Sequence, residues 1–496
     1  MLFNSYEFIF MFLPVSFFVY FYLNRKRLTT ASKGWIVFTS LFFYSWWNVA
    51  YLPLILSSIL FNFIISNLLI EYDISKKKYV SKKVLFRIGL VLNIGLLVYF
   101  KYMDFFIENT NFVLGSDIEL LHLALPLAIS FYTLQQIAFL IDSYEGLVKE
   151  RNFLDYVVFV SFFPQLIAGP IVHHKEMMPQ FTSIRNKAKN YRNITLGLFI
   201  FSIGLFKKVV IADTFAVWAT IGFDTATTLN LLEAWATSLS FTFQIYFDFS
   251  GYTDMAIGAA LLFNIRLPQN FNSPYKATGI IDFWQRWHMT LTSFVTYYIY
   301  TPMLTSFRRL TFTKAMVVTF IAFVIVGLWH GASWMYVLFG VMHGVGAIIN
   351  HVWKKTKVKL HKIVAWFITF NTVNLSLIIF RANDLDDALK VFKAMFDFKE
   401  IENWTNIFHI DFTSIALSLP NLSPLVNTHY IFGLNPYILF IFALIIVTML
   451  KNSYQIASAQ LKILNQFYAV YFGVLFLISI LAMSLTKYTE FIYFNF

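Results

Sequence analysis

The chain has 496 residues, of which 58% are hydrophobic, 20% aromatic and only 13% charged, against about 25% charged in an average soluble domain. This excludes a disordered chain and leaves too few polar residues to cover the surfaces of the soluble domains that such a length would form, so lipid is the expected surrounding. The formal charge of +12 is then expected from the basic excess of cytoplasmic loops, not from a nucleic-acid partner, and the absence of cysteine rules out disulfides, thiolate metal sites and a cysteine nucleophile.

The first apolar run, 7–23, has no basic n-region and no small-residue cleavage site, so it reads as a retained helix. Further runs follow at 34–52, 53–70, 84–100, 121–141, 153–172, 193–212, 231–247 and 252–265, then at 315–329, 332–353, 363–380, 430–450 and 464–486. They predict an all-α polytopic membrane protein with about eleven to thirteen membrane helices, some segments being re-entrant.

Loop charge sets the expected orientation. Residues 24–33 carry Arg25, Lys26, Arg27 and Lys33 without an acid, and 71–83 and 354–362 each carry five lysines; these belong in the cytoplasm. Residues 101–120, with Asp104, Glu108, Asp117 and Glu119, and residues 382–429, with seven acids and three lysines, belong outside. Both termini then face outside. One segment disturbs the alternation: 173–192 is basic but would lie outside if 121–141 and 153–172 both crossed. Pro164 and the Gly169-Pro170 pair would instead break 153–172 into a re-entrant element beside a cavity.

Polar groups inside apolar segments are costly and tend to face a cavity or a partner. Most histidines lie in or beside loops; His288, His330 and His343 do not, and they fall within one short stretch. Each could be a hydrogen-bonded structural group or a functional one. Gly327–Gly331 and Gly340–Gly344 have the spacing that lets helices approach closely, which would also fix the His330 ring. The polar stretch NFNSPYKATGI reads as a loop, with a helix starting near Asp282. That helix would pair Asp282 with Arg286 and set Trp284 on the same face as His288. Upstream, Asp248 and Asp254 in FDFSGYTDMAIG could form a cation site or proton relay, or could secure a broken helix. The structural role is the expectation.

These stretches resemble the membrane-bound O-acyltransferase (MBOAT) family, in its bacterial polysaccharide O-acetyltransferase branch. The resemblance rests on SFYTLQQIAFLIDSYEG, FVSFFPQLIAGPIV, DFSGYTDMAIG, LPQNFNSPYKATGIIDFWQRWHMTLTSF, GLWHGASWMYVLFGVMHG and the terminal FIYFNF, in that order. It implies one membrane domain over 1–496, with the motif region at 130–350, an extracytoplasmic tail at 486–496, and a ring of tilted helices around a central funnel. The family's two functional histidines match His330, expected to be catalytic, and His288. Trp329, Trp284, Trp287, Arg286, Asp282, Asn270, His343 and Asp254 are expected to line or support the tunnel. His173 departs from the pattern, since relatives often carry arginine after GPIV.

The activity so implied is acetyl transfer from a cytoplasmic acyl-thioester, acetyl-CoA, to an acceptor outside the bacterial inner membrane, with no resident cofactor or metal. A histidine of unperturbed pKa about 6.5 suits a general base near neutral pH; His330 would take this role, while His288 would position a substrate or polarise the acyl carbonyl. Tyr493, in the tail, is either an interfacial anchor or an acyl carrier, since a phenol is far more acidic than an alkyl alcohol. A separate periplasmic acetyltransferase of the SGNH hydrolase type would receive the acetyl group. Peptidoglycan is the favoured polymer, because the richness in Phe, Lys, Ile and Asn fits an AT-rich genome; alginate O-acetylation and D-alanyl transfer are the alternatives. A proton- or cation-coupled transporter would use the same intramembrane His and Asp residues, but no inverted repeat is visible.

Overall fold

The computed structural model describes residues 1–72, 80–148, 150–398, 436–460, 466–485 and 491–492. Among them every regular element is a helix, as a chain in lipid requires when its backbone groups must be satisfied within each segment. Among the described residues, eight helices are long and apolar enough to cross a membrane: Glu7–Arg25, Val49–Tyr72, Lys82–Leu114, Tyr191–Thr225, Phe312–His330, Trp334–Thr356, Lys362–Arg381 and Tyr468–Leu485. The chain divides into two units. One comprises Met1–Leu198, Ala256–Pro268 and Thr296–Tyr298, and the other Phe199–Met255, Gln269–Val295 and Ile299–Phe496.

The first unit contains α1 (Leu13–Arg25), α2 (Thr29–Ser45), α3 (Leu52–Tyr72), α4 (Lys82–Leu97) and α5 (Met103–Leu114). After these come α6 (Ile129–Tyr144), α7 (Phe153–Ser161), the single turn α8 (Phe163–Leu166), α9 (His174–Thr182) and the start of α10 (Tyr191–Phe206). Its aromatic core joins Phe8, Phe12, Phe43 and Phe163, with Phe12 set edge-on to Phe163 at 5.1 Å. Buried amides stitch helices together: Asn93 of α4 donates to Asn62 of α3 at 2.7 Å, and Ser58 of α3 donates to Gln136 of α6 at 3.0 Å. Such bonds hold helices where burial of apolar surface from lipid contributes little.

The 153–172 run is broken as expected. Phe162 separates α7 from α8, and a Cβ at Gly169 would lie 2.8 Å from the Pro164 carbonyl oxygen. Two boundaries differ from the sequence reading. The 121–141 run becomes helical only at Ile129, because Pro126 supplies no donor and disfavours helix in the residue before it. The acidic stretch 101–120 is helical as far as Leu114, where Gly115 ends α5 at φ 63, a left-handed cap that glycine adopts freely. Asp104 then accepts the Leu121 and His122 amides at 2.8 and 3.0 Å, so one of the acids counted as loop charge organises the chain that follows α5.

The second unit contains the end of α10, α11 (Asp213–Thr220), most of α12 (Leu231–Leu262), α13 (Ile280–Trp284), α14 (Met289–Val295) and α15 (Thr301–Thr305). It continues with α16 (Phe312–His330), α17 (Trp334–Thr356), α18 (Lys362–Arg381), α19 (Leu385–Met395), α20 (Pro436–Thr448), α21 (Ser453–Gln460) and α22 (Gln466–Leu485). The runs 231–247 and 252–265 are one helix, not two. With 32 residues, α12 is about 48 Å long at 1.5 Å per residue, well beyond a hydrocarbon core of about 30 Å. The helix is therefore not broken at Asp248 and Asp254, and the expectation that they secure a break fails: Ser250-Gly251 contains no proline, and Gly251 serves close packing instead. A Cβ on Gly204 of α10 would lie 2.6 Å from the Gly251 carbonyl oxygen. α16 and α17 form a hairpin with the same device, since a Cβ on Gly340 would lie 2.6 Å from the Phe323 carbonyl oxygen and one on Gly344 3.0 Å from the Phe320 ring.

Candidate active site

The site grows from a helix that stops early. α13 ends at Trp284, and Gln285, Arg286 and Trp287 turn back on it through bonds to the Ile281 and Phe283 carbonyls. His288 follows with φ 43, a left-handed conformation that costs a non-glycine residue about 1 kcal/mol or more. Two backbone bonds hold it against the preceding loop, from Asn272 N–H to Arg286 O and from Met289 N–H to Asn270 O, each 2.9 Å. The expected continuous helix from Asp282 is therefore absent, and Trp284 and His288 do not share a face. The Asp282–Arg286 pair does form, at 2.7 Å and about one-third exposed, and Arg286 also reaches the Asn272 carbonyl.

Asn270 is the hub. Neither it nor His288 is exposed at all. Its Oδ1 accepts the Thr290 backbone N–H at 3.2 Å and the Thr290 hydroxyl at 2.9 Å, and lies 3.1 Å from His288 Nδ1. The backbone N–H can only donate, so it fixes which way the amide faces. With Oδ1 so fixed as the acceptor, His288 Nδ1 must carry the proton. The neutral ring then presents a lone pair at Nε2, for which no partner occurs among the described residues. Phe249 and Trp329 wall the ring at centroid distances of 4.8 and 6.1 Å.

Trp329 also packs on His330, at 5.0 Å, so one indole touches both histidines. His330 is the last residue of α16 and is buried. Gly331 breaks the helix in an extended conformation, and Ser333 caps α17 by accepting the Met335 N–H. The His330 ring lies edge-on to Phe380 of α18 and Phe339 of α17, at 5.2 and 6.0 Å. A small apolar cavity beside it, lined by Ile245, Phe283, Trp287, Val373 and Leu377 among others, adjoins the ring.

His343 lines the same cavity and is hydrogen-bonded at both ring nitrogens. It accepts the Trp284 indole N–H at Nδ1, 3.1 Å, so Nε2 carries the proton toward Ser376 Oγ at 2.9 Å; that hydroxyl donates in turn to Val373 O. Trp284 thus serves His343 rather than His288. Trp287 packs with Phe271, Phe283 and Tyr275. Asp254 is engaged by Lys207 at 2.7 Å and by Ser453, and Asp248 by Lys208 at 2.8 Å, so both carboxylates have cation partners from the π-helical turn Lys207–Ala212. Those lysines were missed in the sequence, although two adjacent cations inside an apolar run are a signal of buried acids nearby. His173 donates from Nδ1 to the Tyr298 hydroxyl at 3.0 Å, and that hydroxyl donates to Asp142, which also meets His174 at 3.1 Å; this group belongs to the first unit. Tyr493 lies outside the described residues.

The chain matches the model of the membrane-bound O-acyltransferase family over residues 142–380. It is 50% identical over 426 residues to the peptidoglycan O-acetyltransferase of Helicobacter pylori, covering 80% of each chain. It is 35% identical over 409 residues to a probable alginate O-acetylase, AlgI, of Pseudomonas aeruginosa, covering 80% of this chain and 75% of that one. A teichoic acid D-alanyltransferase of Streptococcus thermophilus is 27% identical over 293 residues, 52% of this chain and 69% of that one. The chain belongs to the membrane-bound O-acyltransferase family. It is an O-acyltransferase, and the transporter reading is set aside.

Proposed function

We propose that this enzyme moves acetyl groups from a cytoplasmic thioester, acetyl-CoA, across the bacterial inner membrane for O-acetylation of peptidoglycan, with both termini outside. The observation that carries this is the 50% identity, over most of both chains, to a peptidoglycan O-acetyltransferase; alginate O-acetylation and D-alanyl transfer, the activities named for relatives of lower identity, are the alternatives. A separate periplasmic acetyltransferase of the SGNH hydrolase type takes the acetyl group onward.

In the mechanism that follows from family resemblance, His330 is the general base that takes the phenolic proton of Tyr493 as that oxygen attacks the thioester carbonyl. The thiolate leaves, and the tyrosyl acetate passes its acyl group to the partner. Asn270 favours a second assignment for His288. A ring locked as the Nδ1–H tautomer offers a lone pair at Nε2, not a donor, so neutral His288 suits accepting a hydroxyl proton better than polarising the acyl carbonyl. The two assignments separate in single-turnover labelling with radiolabelled acetyl-CoA. The base is the histidine whose alanine variant binds the donor but transfers nothing. Covalent label on Tyr493, lost in Tyr493→Phe, is expected. Full transfer to the partner by Tyr493→Phe would exclude the carrier role. Loss of acetyl esters from peptidoglycan, but not from other polymers, on gene deletion tests the acceptor.

A further inference from the structure

Asp248 has two ligands of different origin. Its Oδ1 meets Lys208 Nζ at 2.8 Å, and its Oδ2 accepts the backbone N–H of Ile492 at 2.8 Å, from a residue 244 positions away. Lys208 also pairs with Asp213 at 2.9 Å, and all three side chains are buried. One ammonium thus faces two carboxylates, leaving a formal charge of −1 on the cluster. A backbone N–H is a donor that such a carboxylate can use without a further charge. The neighbouring residue, Phe491, is 1% exposed. Its ring stacks on Tyr252 at 4.5 Å and 24° and meets Phe249 at 5.5 Å. Phe249 is the same ring that stands edge-on to His288 at 4.8 Å. One phenylalanine therefore separates the docked C-terminal segment from the histidine whose Nε2 lone pair is open.

We propose that Asp248, held by Lys208, is a positioning residue that clasps the C-terminal segment by the Ile492 amide, with Tyr252 and Phe249 as the slot for Phe491. The clasp sets the register of the residue that follows, and it rests on the reading of Tyr493 as acyl carrier. A backbone contact suits this role because it fixes where the chain runs without regard to what the next side chain carries, so it holds the tail both before and after acylation. The role of α12 is then to present two carboxylates to two consecutive lysines. Asp254 ties Lys207 and Ser453, and Asp248 ties the tail.

The experiment uses the full chain in nanodiscs. Hydrogen exchange of the C-terminal peptide reports the Ile492 amide, and single-turnover transfer from labelled acetyl-CoA reports Tyr493. Asp248→Ala should speed Ile492 exchange and slow transfer on the order of ten- to a hundredfold, the equivalent of one charge-assisted hydrogen bond, while the donor concentration at half-maximal rate stays unchanged. Asp248→Asn, which keeps an acceptor oxygen, should restore part of both. Phe491→Ala leaves the ion cluster intact and should show the same pair of effects, which keeps the test decisive if Asp248→Ala does not fold. Unchanged Ile492 exchange in Phe491→Ala and Asp248→Ala, with α16 and α17 exchanging as in the wild type, overturns the clasp. Tyr493→Phe separates the two ideas. If it loses label but keeps Ile492 protection, the clasp and the carrier both stand; if it transfers at full rate, the carrier reading fails and exchange alone judges the clasp.

Discussion

Replacing Asn270 with alanine tests the tautomer argument directly. The substitution removes one oxygen that serves three donors: the Thr290 N–H, the Thr290 hydroxyl and His288 Nδ1. The hydroxyl can rotate to another partner, but the buried Thr290 N–H loses this acceptor, at a cost of about 1–3 kcal/mol. The cavity left by the side chain brings the expected destabilisation to roughly 2–4 kcal/mol. The catalytic effect is separate. Without Oδ1 the His288 ring loses the bond that selects its Nδ1–H form, worth about 1–1.5 kcal/mol, so kcat should fall about tenfold per folded molecule. Single-turnover acetyl transfer, normalised to folded protein, measures it. Thr290→Val is the control, since it removes a bond to the same oxygen without touching His288 and should leave the rate near wild type. In a double-mutant cycle, Asn270→Ala should add nothing to His288→Ala. Additive losses, or a wild-type rate in Asn270→Ala, would show that Asn270 does not act through His288.

Three further outcomes are expected. Gly340→Ala should lower thermal stability by about 1–3 kcal/mol, because its methyl group has the Phe323 carbonyl oxygen 2.6 Å away and overpacking must shift one helix of the hairpin; differential scanning fluorimetry in detergent reads it. His343→Ala should destabilise by about 2–4 kcal/mol through the unpaired Trp284 N–H and the lost ring, yet keep kcat per folded molecule close to wild type. His330→Ala, by contrast, should lose on the order of a hundred- to ten-thousandfold in kcat per folded molecule, as expected for removal of the general base. Tyr298→Phe should cost about 1–2 kcal/mol in thermal unfolding by removing the link between His173 and Asp142, with acetyl transfer unaffected.

Much of the site was readable because apolar runs make polar exceptions conspicuous. His288 and His330 stood out as polar exceptions, Asn270 and Trp329 came only with the family resemblance, and the four meet in space through one shared indole and one shared amide. The failures share a cause. The Trp284–His288 pairing assumed ideal helix from Asp282, but nothing in the local spacing announces a helix that stops after Trp284 and a histidine at φ 43. That conformation is imposed by Asn270 and Asn272, bonds from a loop more than a dozen residues earlier.

Composition and the run of apolar segments by themselves determined the class: an all-α membrane protein, because lipid offers no partner for an unpaired backbone group. The glycine spacings determined that α16 and α17 would pack closely, since only a missing side chain permits that approach. Ion-pair choice was decided by tertiary structure alone. Asp248 and Asp254 are six residues apart on one helix, yet one takes Lys208 and the Ile492 amide and the other takes Lys207 and Ser453. The partners come from positions tens to hundreds of residues away, and only the crossing of α10 and α12 at Gly204 and Gly251 brings adjacent lysines within reach of carboxylates on different sides of the same helix.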